Sequence, residues 1–173
     1  MNTPPPEFSR VVDIGRMGDG HRQFSATPEE CAALARRFDL VAIGRLEADL
    51  TLTVDGPVVT AEGRLTADIV QSCAVSGEEL PVAINEAVSF RFVPETDRHP
   101  DEEVELDADD CDEIAYAGTA FDLGEAVAQS LFLAIDPFAT GPQADAARRQ
   151  AGILDESALS SFAALAALKP KAP

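Results

Sequence analysis

The amino-acid sequence predicts an α+β fold: an antiparallel sheet, open to partial rolling, packed with an N-proximal helix and with C-terminal helices. Three observations predict it. Between residues 40 and 94, apolar and polar side chains alternate with a period of two, in runs separated by turn residues. Within residues 25–38 and 121–138, apolar residues instead fall three and four apart behind helix-start signals. Hydrophobic residues make up 46% of the 173, enough for one domain with a sizeable core.

The elements follow in order. Residues 1–8 read as a disordered tail, because Pro4, Pro5 and Pro6 have no N–H to give to a sheet or helix. "FSRVVDIGRM" reads as a first strand closed by the turn "GDGH", and a short polar link follows. In "SATPEECAALARRF", Thr27 is a good N-cap, Pro28 takes the first helical position and Glu30 completes a capping box. Cys31, Leu34 and Phe38 share a face expected to pack on the sheet, with Cys31 as a small core residue.

From Asp39 the period changes. Leu46, Ala48, Leu50, Leu52 and Val54 line one face, with Glu47, Asp49, Thr51 and Thr53 on the other. "VDGP" turns the chain, and Leu65, Ala67 and Ile69 continue the pattern up to the turn "SGEEL". The third run carries Val82, Ile84, Val88, Phe90 and Phe92, with a phase slip near Glu86 that fits a bulge. Residues 95–113 differ in kind: eleven of them are acidic, and only Arg98 is firmly basic, which reads as a loop with at most a weak edge strand. "FDLGEAVAQSLFLAIDPF" is the best helix. Asp122 caps it, Glu125 completes a capping pattern, and Leu123, Val127, Leu131, Ala134 and Ile135 form its apolar stripe up to Asp136-Pro137. Residues 142–173 read as a polar linker with room for a short helical turn, then a short helix with Phe162, Leu165 and Leu168 at three-residue spacing, too small to stand unsupported.

The chemistry on offer is thin. Cys31, Cys73 and Cys111 are an odd, widely spaced set that makes no disulfide framework. Cys73 has no second cysteine within four residues, and only His21 and His99 are present, so no zinc ligand set is spelled out. A thiolate at Cys73 would need a base or a positive field, whereas the acidic surroundings are expected to work against one. "DADDCDE" lacks the spaced oxygens and glycine of a calcium loop, and "DIGRMGDG" lacks the spacing and Lys-Ser/Thr of a phosphate loop. No catalytic residue, metal or cofactor is called for. No apolar run nears the roughly 20 residues that span a bilayer, and the opening lacks signal-peptide features. The expected location is the cytoplasm, with thiols reduced and no membrane partner.

Charge bears on partners. The net charge of −18 repels nucleic-acid phosphates, DNA included, and favours a basic partner. Arg10, Arg16, Arg22, Arg36, Arg37, Arg45 and Arg64 nevertheless gather early in the chain, leaving open an arginine-bearing sheet face that binds RNA directly.

Three pieces in sequence order add a resemblance. "GRLTADIVQSCAVSGEELPVAINEAVSFRF", then "FDLGEAVAQSLFLAIDPF", then "SSFAALAALKP", with an acidic insert before the helix, resemble the YceD family of large ribosomal RNA subunit accumulation proteins. The resemblance covers roughly residues 9–170, with residues 9–141 as the main domain and 142–173 as part of the same unit. The matching positions are Gly63, Cys73, Asp122, Leu123, Phe162, Leu165 and Leu168. Many family members carry a Cys-x-x-Cys pair where this chain has Cys73 and Ser76, which weakens any inherited metal knuckle. The resemblance implies a bacterial cytoplasmic factor, not an enzyme, that supports large-subunit ribosomal RNA accumulation and ribosome assembly. Its expected partner is a ribosomal protein or assembly intermediate, with large-subunit ribosomal RNA as a further candidate. Within the acidic loop, Glu102, Glu103, Glu105, Asp109 and Asp110 are the expected partner-binding residues.

Overall fold

A computed structural model of the chain describes residues 6–16, 18, 20–95 and 113–152. The chain divides into two compact units. One comprises residues up to Gln71 with Pro81–Asp136, and the other Ser72–Leu80 with the segment from Pro137 onward.

Strand β1 (Val11–Asp13) is followed by a single 3₁₀ turn, Ile14–Arg16, then by β2 (Gly20–Ser25) and helix α1 (Pro28–Arg37). Three long strands come next: β3 (Ala42–Asp55), β4 (Val58–Ser72) and β5 (Glu79–Pro94). Short strands β6 (Glu113–Tyr116) and β7 (Ala120–Asp122) lead into α2 (Leu123–Ala134), and α3 (Ala144–Gln150) lies in the second unit. The main sheet has the order β2-β3-β4-β5-β6, and β1 pairs with β7 in a separate two-stranded sheet. The class is α+β as the sequence predicts, with a sheet that is mostly antiparallel.

The period-two pattern becomes the core. Leu46, Ala48, Leu50 and Leu52 from β3, Leu65, Ala67 and Ile69 from β4, and Ile84, Phe90 and Phe92 from β5 are buried on one face. Each fully buried Leu or Phe contributes about 1.5–3 kcal/mol. Cys31, Leu34 and Ala35 of α1 and Leu123, Val127 and Leu131 of α2 join them in one cluster. Thr27 caps α1 through the expected box: the Glu30 N–H donates to Thr27 Oγ1 at 3.2 Å, and the Thr27 N–H donates to Glu30 Oε2 at 2.8 Å. The helix stops because Asp39 takes φ +55°, and the Leu40 N–H then reaches back to the Ala35 carbonyl at 2.9 Å.

Three features depart from the sequence reading. Phe8, at the junction of the expected tail and first strand, is fully buried, so the tail ends before it. The first strand is only three residues long, and "GHRQFS", read as turn and link, is the edge strand β2, paired with Glu47–Leu52. Its polar His21, Arg22 and Gln23 suit an edge but hide the strand from a hydrophobicity pattern. Strand β6 runs parallel to β5, with Arg91 opposite Glu113 and Pro94 opposite Tyr116. A parallel return needs a long connection, which the acidic run supplies. Helix α3 falls within the linker, where the sequence leaves room for a short helical turn.

Candidate functional site

Strand β7 delivers Asp122 to the start of α2 in an extended conformation. One oxygen, Oδ1, accepts from the backbone N–H groups of Gly124 (3.0 Å), Glu125 (3.2 Å) and Arg10 (2.7 Å). The other, Oδ2, accepts from the Ser9 hydroxyl at 2.6 Å. One carboxylate thus caps the helix, where its charge suits the helix dipole, and holds the N-terminal segment against it. Leu123 is buried, and its N–H donates to the Arg10 carbonyl at 3.1 Å. A Cβ on Gly124 would lie 2.6 Å from the Phe8 carbonyl oxygen, so only glycine admits this crossing. Asp122 and Leu123 form a structural joint.

Glu125 does not close a capping box. Its carboxylate takes a two-pronged ion pair from Arg37, at 2.9 and 2.7 Å, while Arg37 also reaches Glu7 at 3.1 Å. The Arg37 hydrogen bonds hold the Glu125 carboxyl below the usual carboxylate range. Arg10 grips Glu30 in the same way, at 2.7 and 2.9 Å, and lowers that carboxyl too. Arg45 pairs with Asp68 at 2.8 Å and with Glu47 at 3.4 Å, and Arg91 pairs with Glu113 at 2.9 Å. Arg64 donates to the Asn85 amide oxygen at 2.6 Å. Three of the seven early arginines are therefore neutralised where they stand.

Beside the Arg37–Glu125 pair, α2 turns apolar side chains outward. Leu133 is 82% exposed and Phe132 53% exposed, and the Phe132 ring lies 5.2 Å from that of Phe38. Arg37, Phe38, Gln129, Phe132 and Leu133 line a groove of about 360 Å³. The sequence reading gave α2 one buried stripe and missed this face. The signal was present in Leu131-Phe132-Leu133-Ala134-Ile135, a run too continuous for one side of a helix to hide.

In the second unit, Cys73 begins the turn that the sequence predicts. Its N–H donates to the Glu78 carbonyl at 2.8 Å, and its side chain is buried. The sulfur accepts from the backbone N–H groups of Ser76 and Gly141, each at 3.3 Å. These two donors work against the expectation that acidic surroundings disfavour a thiolate. The Ser76 hydroxyl, then the N–H groups of Ser76 and Gly141, bring the Cys73 thiol down to about 6. The nearby Glu78 carboxylate is itself engaged, accepting from the Ser76 hydroxyl at 3.0 Å and the Gln143 N–H at 2.8 Å. That hydroxyl has a single hydrogen, so the two main-chain donors are the fixed part of the sulfur's environment. Cys31 behaves oppositely, pushed up by burial and by Glu30. Among the described residues, no group of three or more His, Cys, Asp or Glu side chains gathers as a metal-binding set. No helix among them is long and apolar enough to cross a membrane.

Residues 61–169, more than half of the chain, match the family described as large ribosomal RNA subunit accumulation protein YceD. The chain belongs to the YceD family. No curated protein and no solved structure matches it. The YceD match takes in Gly63, Cys73 and Asp122, together with the α2 groove residues Gln129, Phe132 and Leu133, and begins after β1, β2, α1 and β3. Of the positions expected to follow the YceD pattern, Phe162, Leu165 and Leu168 lie outside the described residues, as do Glu102, Glu103, Glu105, Asp109 and Asp110.

Proposed function

We propose that this YceD-family protein is a non-catalytic cytoplasmic factor that supports large-subunit ribosomal RNA accumulation and ribosome assembly. It acts by binding a basic ribosomal protein, or an assembly intermediate that presents one. The family match over residues 61–169 carries the ribosomal part of this reading. The choice of a basic protein over bare RNA is supported by charge. The chain holds 31 acidic residues against 13 basic ones, and Arg10, Arg37 and Arg45 are occupied by carboxylates. A non-catalytic role is supported by the burial of Cys73, which keeps its sulfur from a substrate. Asp122, the other chemically capable family position, is consumed in capping α2. Depletion of the protein from its bacterial host is expected to lower the ratio of mature large- to small-subunit ribosomal RNA. An unchanged ratio would sink the reading.

A further inference from the structure

We propose that the groove on the outer face of α2 docks an apolar segment of a cationic protein partner. This deepens the ribosomal reading above and rests on it. The groove is apolar at its centre, where Phe38, Phe132 and Leu133 converge, with Leu133 almost fully in solvent. Large exposed apolar side chains gathered in a concave surface are characteristic of interaction sites.

Two further depressions each share a lining residue with the groove. Gln129 also lines a depression of about 270 Å³ that includes Glu125, and Leu133 also lines one of about 420 Å³ that includes Glu86. Helix α2 contributes residues to all three and, at twelve residues, is about 18 Å long. That is the length over which an amphipathic segment lays successive apolar side chains into a groove.

Charge selects the occupant. Among the described residues, Arg37 is the one cation lining the central groove, and Glu125 and Glu7 offset it. Exposed Glu86 adds negative charge in the depression that shares Leu133. A second copy of this chain would bring another −18 and be repelled. A segment that alternates apolar and basic side chains meets both demands.

The test uses the full chain and two synthetic peptides of equal charge, one an amphipathic leucine–lysine helix former, the other with serine in place of leucine. The leucine peptide should bind at least about tenfold more tightly and keep that advantage at high salt. Its binding should move the NMR signals of Phe38, Phe132 and Leu133. Leu133→Ser, at a side chain too exposed to hold the core, should remove most of the advantage. Equal affinity for the two peptides, an undiminished advantage in Leu133→Ser, or signals that move only elsewhere would each overturn the proposal. So would Leu133 signals that move with protein concentration alone, which would mark a self-interface. Failure here is separable from failure of the ribosomal reading. If Leu133→Ser restores the ribosomal RNA ratio in depleted cells as well as the native protein does, only the groove proposal falls.

Discussion

Gly63 faces Leu50 across the β3–β4 ladder, and a Cβ there would lie 2.9 Å from the Leu50 Cα and inside contact distance of the Asp49 carbonyl. Close approach of two backbones therefore demands glycine at this position, a requirement that no alternation pattern encodes. Cys73 is the opposite case. Its inward packing was readable from the turn around it, but its acidity was not, because one of its donors, the Gly141 N–H, lies 68 residues away. The consequence can be measured. Titrating thiolate absorbance near 240 nm should show a step close to pH 6 that Cys73→Ser removes, while Cys31 titrates above the ordinary thiol range. The sign of the linkage follows. A thiol whose folded pKa lies below the unfolded value of about 8.5 contributes stability that is fully present above pH ~8.5. That contribution is lost as pH falls through about 6. Absence of the pH 6 step, or its persistence in Cys73→Ser, would show that these donors do not set the thiol.

Helix α2 shows how an element can be predicted correctly while half of its surroundings are missed. Asp122 as cap and Asp136-Pro137 as terminator were legible, since both act within a few residues of the helix. Strand β7 and its partner β1 were not, because three-residue strands carry too little pattern to register. The docking of Ser9 and Arg10 onto Asp122 spans more than a hundred residues and left no local trace. Asp122→Ala should therefore cost more than an ordinary cap. It strands the N–H groups of Arg10, Gly124 and Glu125 together with the Ser9 hydroxyl, and about 2–4 kcal/mol is expected, against about 1 kcal/mol for a cap alone. Urea unfolding of the two proteins measures the difference. Ser9→Ala, which removes a single contact, should cost clearly less. Equal losses in the two variants would mean that the Ser9 contact alone carries what Asp122 supplies. A loss of only about 1 kcal/mol in Asp122→Ala with none in Ser9→Ala would mean that the cap, and not the joint, is its contribution.

Across the described residues, Arg10, Arg37, Arg45 and Arg91 face carboxylates that they balance, so the unbalanced charge must be sought elsewhere, and eleven acidic residues fall within 95–113. Both described ends of that run are fixed: the Glu95 N–H donates to the Tyr116 carbonyl at 2.8 Å, and Glu113 pairs with Arg91. The acidity and place of the run were plain in the sequence, whereas the parallel β5–β6 pairing that anchors it was not, because register across so long a connection has no local signature. Two roles are open to this charge, attracting a basic partner or keeping the chain soluble, and they predict different behaviour. Changing Glu102, Glu103 and Glu105 to Gln, and Asp109 and Asp110 to Asn, takes the net charge from −18 to −13. If the run attracts a partner, association with purified basic large-subunit ribosomal proteins should slow at low salt, and its salt dependence should flatten. The melting temperature should hold or rise slightly, because self-repulsion is relieved. Unchanged association, with precipitation of the variant at high concentration, would assign the run to solubility and leave partner recognition to the groove on α2.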